Sequence, residues 1–495
     1  MSTTTTTATT LALPHILFIL YLVLPPLNDA VERSTATRWT YTSILLALHA
    51  LGLVILYHLS PAAAASASAS TSPGLYDGQR GEPGWPEKRA LLNIAIFAVA
   101  NQNVVTVFRI LRHVARLGGP RASPCSVGMP AWKRITTPTT GNERERQEEV
   151  PKRFGLERIR WAADGWMSLR GVGWKWGCAH RRSWPTWPDA VVRGGRSKWI
   201  GYNLVRLARN LLILDLLNTL SQTRASLHTS CIRCQPLPAL VLDTFLAGAQ
   251  GVFALTTSYL VLSLVCVTLG LGTPQDWRPL FGAPRHAPLS KGGRRGADWT
   301  HFLGDLERFW ARFWHGLFRD SFVGLPRGLV DLVVVGPPCA TAIGTVNGRA
   351  PSSAPKEDDD DDDKTRPRAR APRQRSHGET LLTSLLAFTL SALLHSLPNY
   401  IMLHRLPLGS AAFFLVQPLG IALERLALKP LGLVRSDAWS GIAWVLLWFA
   451  ATGALLMDEY VEAGFWYIDM VPHSLVRPLL ETVTGYRFTK RDDWM

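Results

Sequence analysis

The chain has 495 residues, of which 47% are hydrophobic and 19 are Trp, with a mean hydropathy of +0.08; it is too apolar for an ordinary soluble enzyme. It also carries 53 Lys and Arg and a net charge of +16. Nucleic-acid binding would account for the charge but not for the apolar runs. Both follow from a multi-span membrane protein whose basic loops lie beside an anionic cytoplasmic leaflet. The six cysteines are scattered and imply no disulfide framework.

The Thr-rich N-terminus lacks the Lys/Arg region of a cleaved signal peptide, so the run Leu11 to Leu27 is expected to be a retained span with ends made irregular by Pro14, Pro25 and Pro26. Tyr41 to Ser60 and Arg89 to Ile110 are the second and third. The Ala/Ser/Pro-rich stretch 61–87 between them is a linker with no core-forming pattern. Residues 1–110 thus form an N-terminal unit of three spans. In 111–200 Lys and Arg far outnumber Asp and Glu, which puts this long loop in the cytosol and the N-terminus on the lumenal side. Gly141 to Val150, of mixed charge and without apolar period, is expected to be disordered.

Within that loop lies SLRGVGWKWG, 168–177, whose interleaved glycines and tryptophans suit a tight bend at the membrane interface better than a phosphate cradle. Asn203 to Leu220 is a fourth span, with Arg206 and Arg209 near its cytosolic end. His228, Cys231 and Cys234 follow; one CxxC with one histidine lacks a second ligand pair, so a local disulfide or two free thiols is expected rather than a metal. Leu240 to Leu271 is longer than one span needs and fits either a tilted helix or an interfacial piece followed by a crossing.

The second basic loop, Thr273 to Gly328, holds LERFWARFWHGLFRD at 306–320. On a helix, Phe309, Phe313, Trp310 and Trp314 repeat at spacings of three and four, while Arg308, Arg312, His315 and Arg319 repeat on another face. The pattern reads first as an amphipathic helix on the membrane surface. Leu329 to Val346, broken by Pro337 and Pro338, reads as re-entrant or irregular. The insert 347–377, with six consecutive aspartates at 358–363, reads as solvated and disordered rather than metal-binding.

From Leu381 to Leu403 an apolar helix long enough to cross a bilayer contains His395. An ionisable side chain there costs about 2.5 kcal/mol or more unless it faces a cavity or a partner. It could bond a neighbouring helix or its own helix surface, for instance Ser391 or Asn399 one turn to either side, or it could be functional. Ala411 to Leu428 and Ala438 to Met457 are further spans, and Tyr460 to Leu480 either crosses or lies on the surface. The fold expected is all-α and polytopic, with about 7–9 transmembrane spans around a buried histidine.

Three segments share a resemblance. FWARFWHGLFRD at 309–320 resembles the FWGRxWH segment of the membrane-bound O-acyltransferases, in particular their wax-synthase-like fungal branch. LSALLHS at 390–396 resembles the SGLxHE helix of that family, and RGVGWKWG at 170–177 its RGIGWNW stretch. The resemblance covers about residues 170–470 and makes 201–495 the O-acyltransferase core, with motifs at 306–320 and 388–402 and the insert 347–377 between them. Ala311 replaces the glycine of FWGR, and Ser396 stands where an acidic residue often follows the histidine, which bears on any mechanism that needs a carboxylate beside His395.

The resemblance implies an acyl-CoA-dependent O-acyltransferase of the endoplasmic reticulum membrane, with no permanently bound cofactor and no metal. Its co-substrate would be acyl-CoA, acetyl-CoA in the favoured reading, and its acceptor a hydrophobic alcohol such as a terpenoid. Wax or steryl ester synthesis is the alternative within the family; a transporter with His395 as proton relay, or an inactive membrane scaffold, lies outside it. Acyl transfer needs a base for the hydroxyl proton and a donor for the oxyanion. His395 is the implied base, and His315 the group that orients the acyl thioester. Arg308, Arg312 and Arg319 would bind the phosphates of coenzyme A, with Trp314 beside them.

Overall fold

The computed structural model describes, in the main, residues 11–20, 35–60, 85–114, 153–167, 194–227, 232–271, 304–314, 320–335, 376–435, 439–465 and 473–486. The described residues are mostly helical, joined by turns, with a two-residue antiparallel pairing of Arg134–Ile135 with Gln147–Glu148. The helices are α1 (Leu11–Leu20), α2 (Thr35–Leu59), α3 (Trp85–Arg109), α4 (Leu156–Met167), α5 (Gly195–Leu227), α6 (Leu237–Thr268), α7 (Leu306–Arg308), α8 (Leu325–Val335), α9 (His377–Leu403), α10 (Leu408–Leu423), α11 (Trp439–Glu462) and α12 (Val476–Thr484). Among the described residues six helices are long and apolar enough to cross a membrane: α2, α3, α6, α9, α10 with the turn that follows it, and α11. The protein is an all-α polytopic membrane protein.

Rows of exposed leucine and valine, such as Leu51 and Val54 on α2 or Val261, Leu262 and Val265 on α6, form the face such a bundle offers to lipid. The 32 residues of α6 are one continuous helix, which selects the single-helix reading of this long apolar run. Residues 203–220, expected to be a fourth span, lie within the 33 residues of α5, which is helical but not among the six helices apolar enough to cross a membrane. Several of its polar side chains are taken up by neighbours. Gln250 of α6 accepts from Ser221 at 3.0 Å and donates to Asn218 at 3.1 Å, Arg224 pairs with Asp243 at 2.8 Å, and Asp215 accepts from the backbone N–H groups of Leu475 and Val476 at the start of α12.

Helix α9 is the axis of the bundle, packing on α3, α10, α8, α2 and α11. A capping box opens it: Ser376 Oγ accepts from the Glu379 N–H while the Glu379 carboxylate accepts from the Ser376 N–H, both at 3.2 Å. It closes on His404, held at a φ of 52° in the left-handed region that non-glycine residues avoid. Tertiary contacts impose that conformation. The His404 ring stacks on Tyr57 at 3.9 Å, donates from Nε2 to the Tyr57 carbonyl at 3.0 Å, and also meets Ser60 Oγ.

The described start of the segment that the sequence places on the membrane surface packs into the core instead. After α7 the chain continues as a π-type turn, Phe309–Trp314, and Trp310 is only 3% exposed. Trp310 packs against Phe388 of α9, Phe413 and Phe414 of α10, and Phe449 of α11. Its aromatic surface is better buried among other rings than left at the interface. The segment is also tied down by charge. The Leu306 N–H donates to the buried Glu424 carboxylate at 2.7 Å, Lys429 pairs with Glu424 at 2.8 Å and with Asp305 at 3.2 Å, and Arg425 pairs with Glu307. Burial opposes the charge on Lys429, but Glu424 and Asp305 outweigh it and raise its pKa above the ordinary lysine value.

Of the segment 329–346 expected to be re-entrant or irregular, residues 329–335 belong to a regular helix, α8, and Pro337 and Pro338 lie outside the described residues. So do 168–177, the insert 347–375, His228 and Cys231. Cys234 is disulfide-bonded, and Cys266 is free and buried.

Candidate active site

His395 stands eighteen residues into α9, half-buried, on the side facing α10 and α11. Its ring stacks on Phe414 with centroids 4.5 Å apart and planes 15° from parallel. Nδ1 meets Tyr460 Oη of α11 at 2.9 Å. Nε2 has no hydrogen-bond partner among the described residues. The nearby-turn alternative therefore does not hold for Asn399, which donates elsewhere: to Ser410 Oγ at 2.7 Å and to Glu459 Oε2 at 3.0 Å.

Glu459, 2% exposed, supplies the carboxylate closest in sequence to Tyr460. Its Oε1 accepts from the Gly409 N–H at 2.8 Å, and its Oε2 accepts from Asn399 and from Ser410 Oγ. Three donors surround one buried carboxylate, which offsets its desolvation and pins the α9–α10 turn to α11. Gly409 is required there, since a Cβ would lie 2.2 Å from the Leu455 carbonyl oxygen. Arg405, in the same turn, is held above its usual pKa by its hydrogen bond to Glu462. Ser396, the residue after the histidine, has an Oγ without a hydrogen-bond partner among the described residues.

The two motifs converge. Trp310 touches Phe414 at 5.8 Å between centroids, and Phe414 carries His395 on its other contact, so one ring links the 306–320 segment to the histidine. Gln417, one turn further along α10, accepts from both Trp310 Nε1 at 3.2 Å and Trp448 Nε1 at 2.9 Å. Trp314 packs on the same cluster as Phe388 and Ala392, and Phe318 on the cluster that holds Leu394. His315, Arg319 and the side chain of Arg312 lie outside the described residues. Arg308 pairs with Asp305 at 3.4 Å, with its side chain 34% exposed.

Tyr460 and Glu459 were not singled out from the sequence. They lie more than sixty residues beyond His395, Tyr460 at the start of the stretch 460–480 expected to cross or lie on the surface and Glu459 just before it, and no local signal marks them. No group of three or more His, Cys, Asp or Glu among the described residues is arranged to hold a metal ion.

The chain is similar to several fungal acetyltransferases. It is 32% identical to acetyltransferase ple2 of Rhodocybe pseudopiperita over 35% of this chain and 40% of that one. It is 29% identical to acetyltransferase ataH of Aspergillus terreus over 47% of this chain and 63% of that one, and 26% identical to acetyltransferase atnC of an Arthrinium species over 38% and 44%. The matched stretches thus span less than two thirds of each of these relatives. No protein-family model matches the chain, and no solved structure matches it.

Proposed function

We propose that this protein is an acyl-CoA-dependent O-acyltransferase that moves an acyl group, acetyl in the favoured case, from coenzyme A to the hydroxyl of a hydrophobic alcohol such as a terpenoid. The observation that carries the reading is His395: a histidine within a span, with one ring nitrogen tied to Tyr460 and the other without a partner among the described residues. The relatives named acetyltransferases support the reaction class. The resemblance of 309–320 and 390–396 to the wax-synthase-like membrane-bound O-acyltransferases supports the same choice and an endoplasmic reticulum location.

In this reading His395 Nε2 takes the proton of the acceptor hydroxyl as its oxygen attacks the thioester carbonyl carbon. The tetrahedral intermediate collapses with cleavage of the C–S bond. The proton on Nε2 passes to the leaving sulfur, giving the ester and free coenzyme A. His315 orients the thioester or donates to its oxygen. Arg308, Arg312 and Arg319, on a segment rich in basic residues, suit the coenzyme A phosphates, with Trp314 of the same segment as a further contact.

The test is acyl transfer by membranes that contain the chain. They receive labelled acetyl-CoA or palmitoyl-CoA with a panel of terpenoid, sterol and long-chain alcohols, and His395→Ala serves as control. Label in a lipid-soluble ester with wild type alone, from acetyl-CoA, is the expected result. Transfer of palmitoyl in preference moves the assignment to wax or steryl ester synthesis. Activity that survives in His395→Ala removes the base assignment.

A further inference from the structure

We propose that Tyr460 is the positioning residue of this site, fixing the His395 ring so that Nε2 alone is presented for proton transfer; the proposal rests on the reading of His395 as the base. A base at Nε2 must carry its resting proton on Nδ1, because neutral imidazole has one N–H and one lone pair. The only hydrogen-bond partner of Nδ1 among the described residues is Tyr460 Oη, at 2.9 Å, and in this tautomer the phenolic oxygen accepts. Stacking on Phe414 fixes the plane of the ring but not its sense. The torsion that turns a histidine ring is broad and roughly two-fold, so a half-turn would preserve the stack and exchange Nδ1 with a carbon. The hydrogen bond to Tyr460 selects one of the two orientations.

Tyr460 is itself well held. Phe97 meets its ring edge-on at 5.4 Å and Phe465 contacts it at 5.2 Å. The preceding residue, Glu459, is anchored by Gly409, Ser410 and Asn399, which sets the height of α11 against α9. Among the described residues no carboxylate takes this place. Ser396 follows the histidine, and both oxygens of Glu459 are engaged elsewhere. A neutral phenol therefore stands where a carboxylate stands in the serine–histidine–aspartate arrangement: it holds the orientation of the ring and faces the imidazolium that forms, without taking its proton.

The experiment compares wild type, Tyr460→Phe and His395→Ala, as full-length chains, by two readouts. One is acyl transfer on any acceptor of the panel that turns over. The other is the rate at which diethyl pyrocarbonate modifies His395, followed by peptide mass spectrometry, which needs no substrate. Tyr460→Phe is expected to keep its thermal unfolding temperature, to lose kcat on the order of tenfold or more, to keep both KM values within about twofold, and to slow modification of His395 severalfold. Wild-type kcat, or a wild-type modification rate, in Tyr460→Phe overturns the positioning role. So does a fall in unfolding temperature together with a rise in KM, the pattern of a structural residue. A silent His395→Ala beside an unaffected Tyr460→Phe removes only Tyr460. A fully active His395→Ala removes the base reading and the positioning role with it. If no acceptor turns over, the modification rate decides alone.

Discussion

Asn399, one turn beyond His395 in the same helix, donates a 3.0 Å hydrogen bond to the buried carboxylate of Glu459. The contact joins the helix that carries the histidine to the helix that carries Tyr460, and Ser410 and the Gly409 N–H complete the cluster. Replacing Glu459 with Leu would leave three buried donors without an acceptor. Each unsatisfied group costs about 1–3 kcal/mol, so Glu459→Leu is expected to fail to accumulate or to unfold at a much lower temperature than wild type. Gel-filtration recovery and thermal unfolding in detergent measure it. A variant as stable as wild type would show that the cluster contributes nothing to the fold.

Gln417 is the shared acceptor of two indoles, Trp310 from the 306–320 segment and Trp448 from α11. Gln417→Leu keeps the volume and strands both donors, at a cost of about 2–6 kcal/mol in all. Trp310→Phe removes one of the two donors in advance, so its effect and that of Gln417→Leu should be less than additive in a double-mutant cycle. Strict additivity would mean that the indole N–H is satisfied in another way.

Lys429 offsets the charge of Glu424, a carboxylate with no exposed side-chain surface. Lys429→Met leaves that charge uncompensated and should destabilise by about 2 kcal/mol, less than for a fully buried pair because Lys429 remains 29% exposed. The sign of the pH effect follows from the raised pKa of Lys429 in the folded state. Its stabilisation is fully present below the pKa of an unfolded lysine, about 10.4, and is lost as the pH rises through the higher folded value. The gap between wild type and Lys429→Met, read by chemical or thermal unfolding across alkaline pH, should be constant at neutral pH and narrow above that point. A gap that widens instead would mean that the ion pair is not its source.

How far the sequence carries depends on which features are local. The apolar runs at Tyr41–Ser60, Arg89–Ile110 and Leu381–Leu403 are long enough to specify helices on their own, and each lies in a helix of the structure. His395 was legible because an ionisable residue in a span is costly and must be satisfied. Trp310 was legible as a helical aromatic but not as a buried one. A row of tryptophans beside arginines reads the same whether it faces lipid headgroups or other rings, and only Phe388, Phe413, Phe414 and Phe449, brought in by three other helices, decide the matter. Tyr460 and Glu459 carry no periodic or spacing signal, since their roles exist only once α9, α10 and α11 have docked.

Phe414 tests whether the link between the two motifs matters to the chemistry. It is fully buried, stacks on His395, and contacts Trp310 and Phe413. Phe414→Ala would open a cavity and cost about 3–5 kcal/mol, which would confound any loss of activity. Phe414→Leu keeps most of the apolar volume, at a cost of about 1–2 kcal/mol, and removes the flat surface on which the imidazole lies. With that surface gone the ring can tilt about its hydrogen bond to Tyr460. Acyl transfer by Phe414→Leu should therefore fall severalfold in kcat, and addition of Tyr460→Phe should lower it further, because stack and hydrogen bond constrain different motions of one ring. The comparison uses variants matched for membrane level and for unfolding temperature. Full activity in Phe414→Leu would mean that the stack is packing alone and that Tyr460 suffices to orient the histidine.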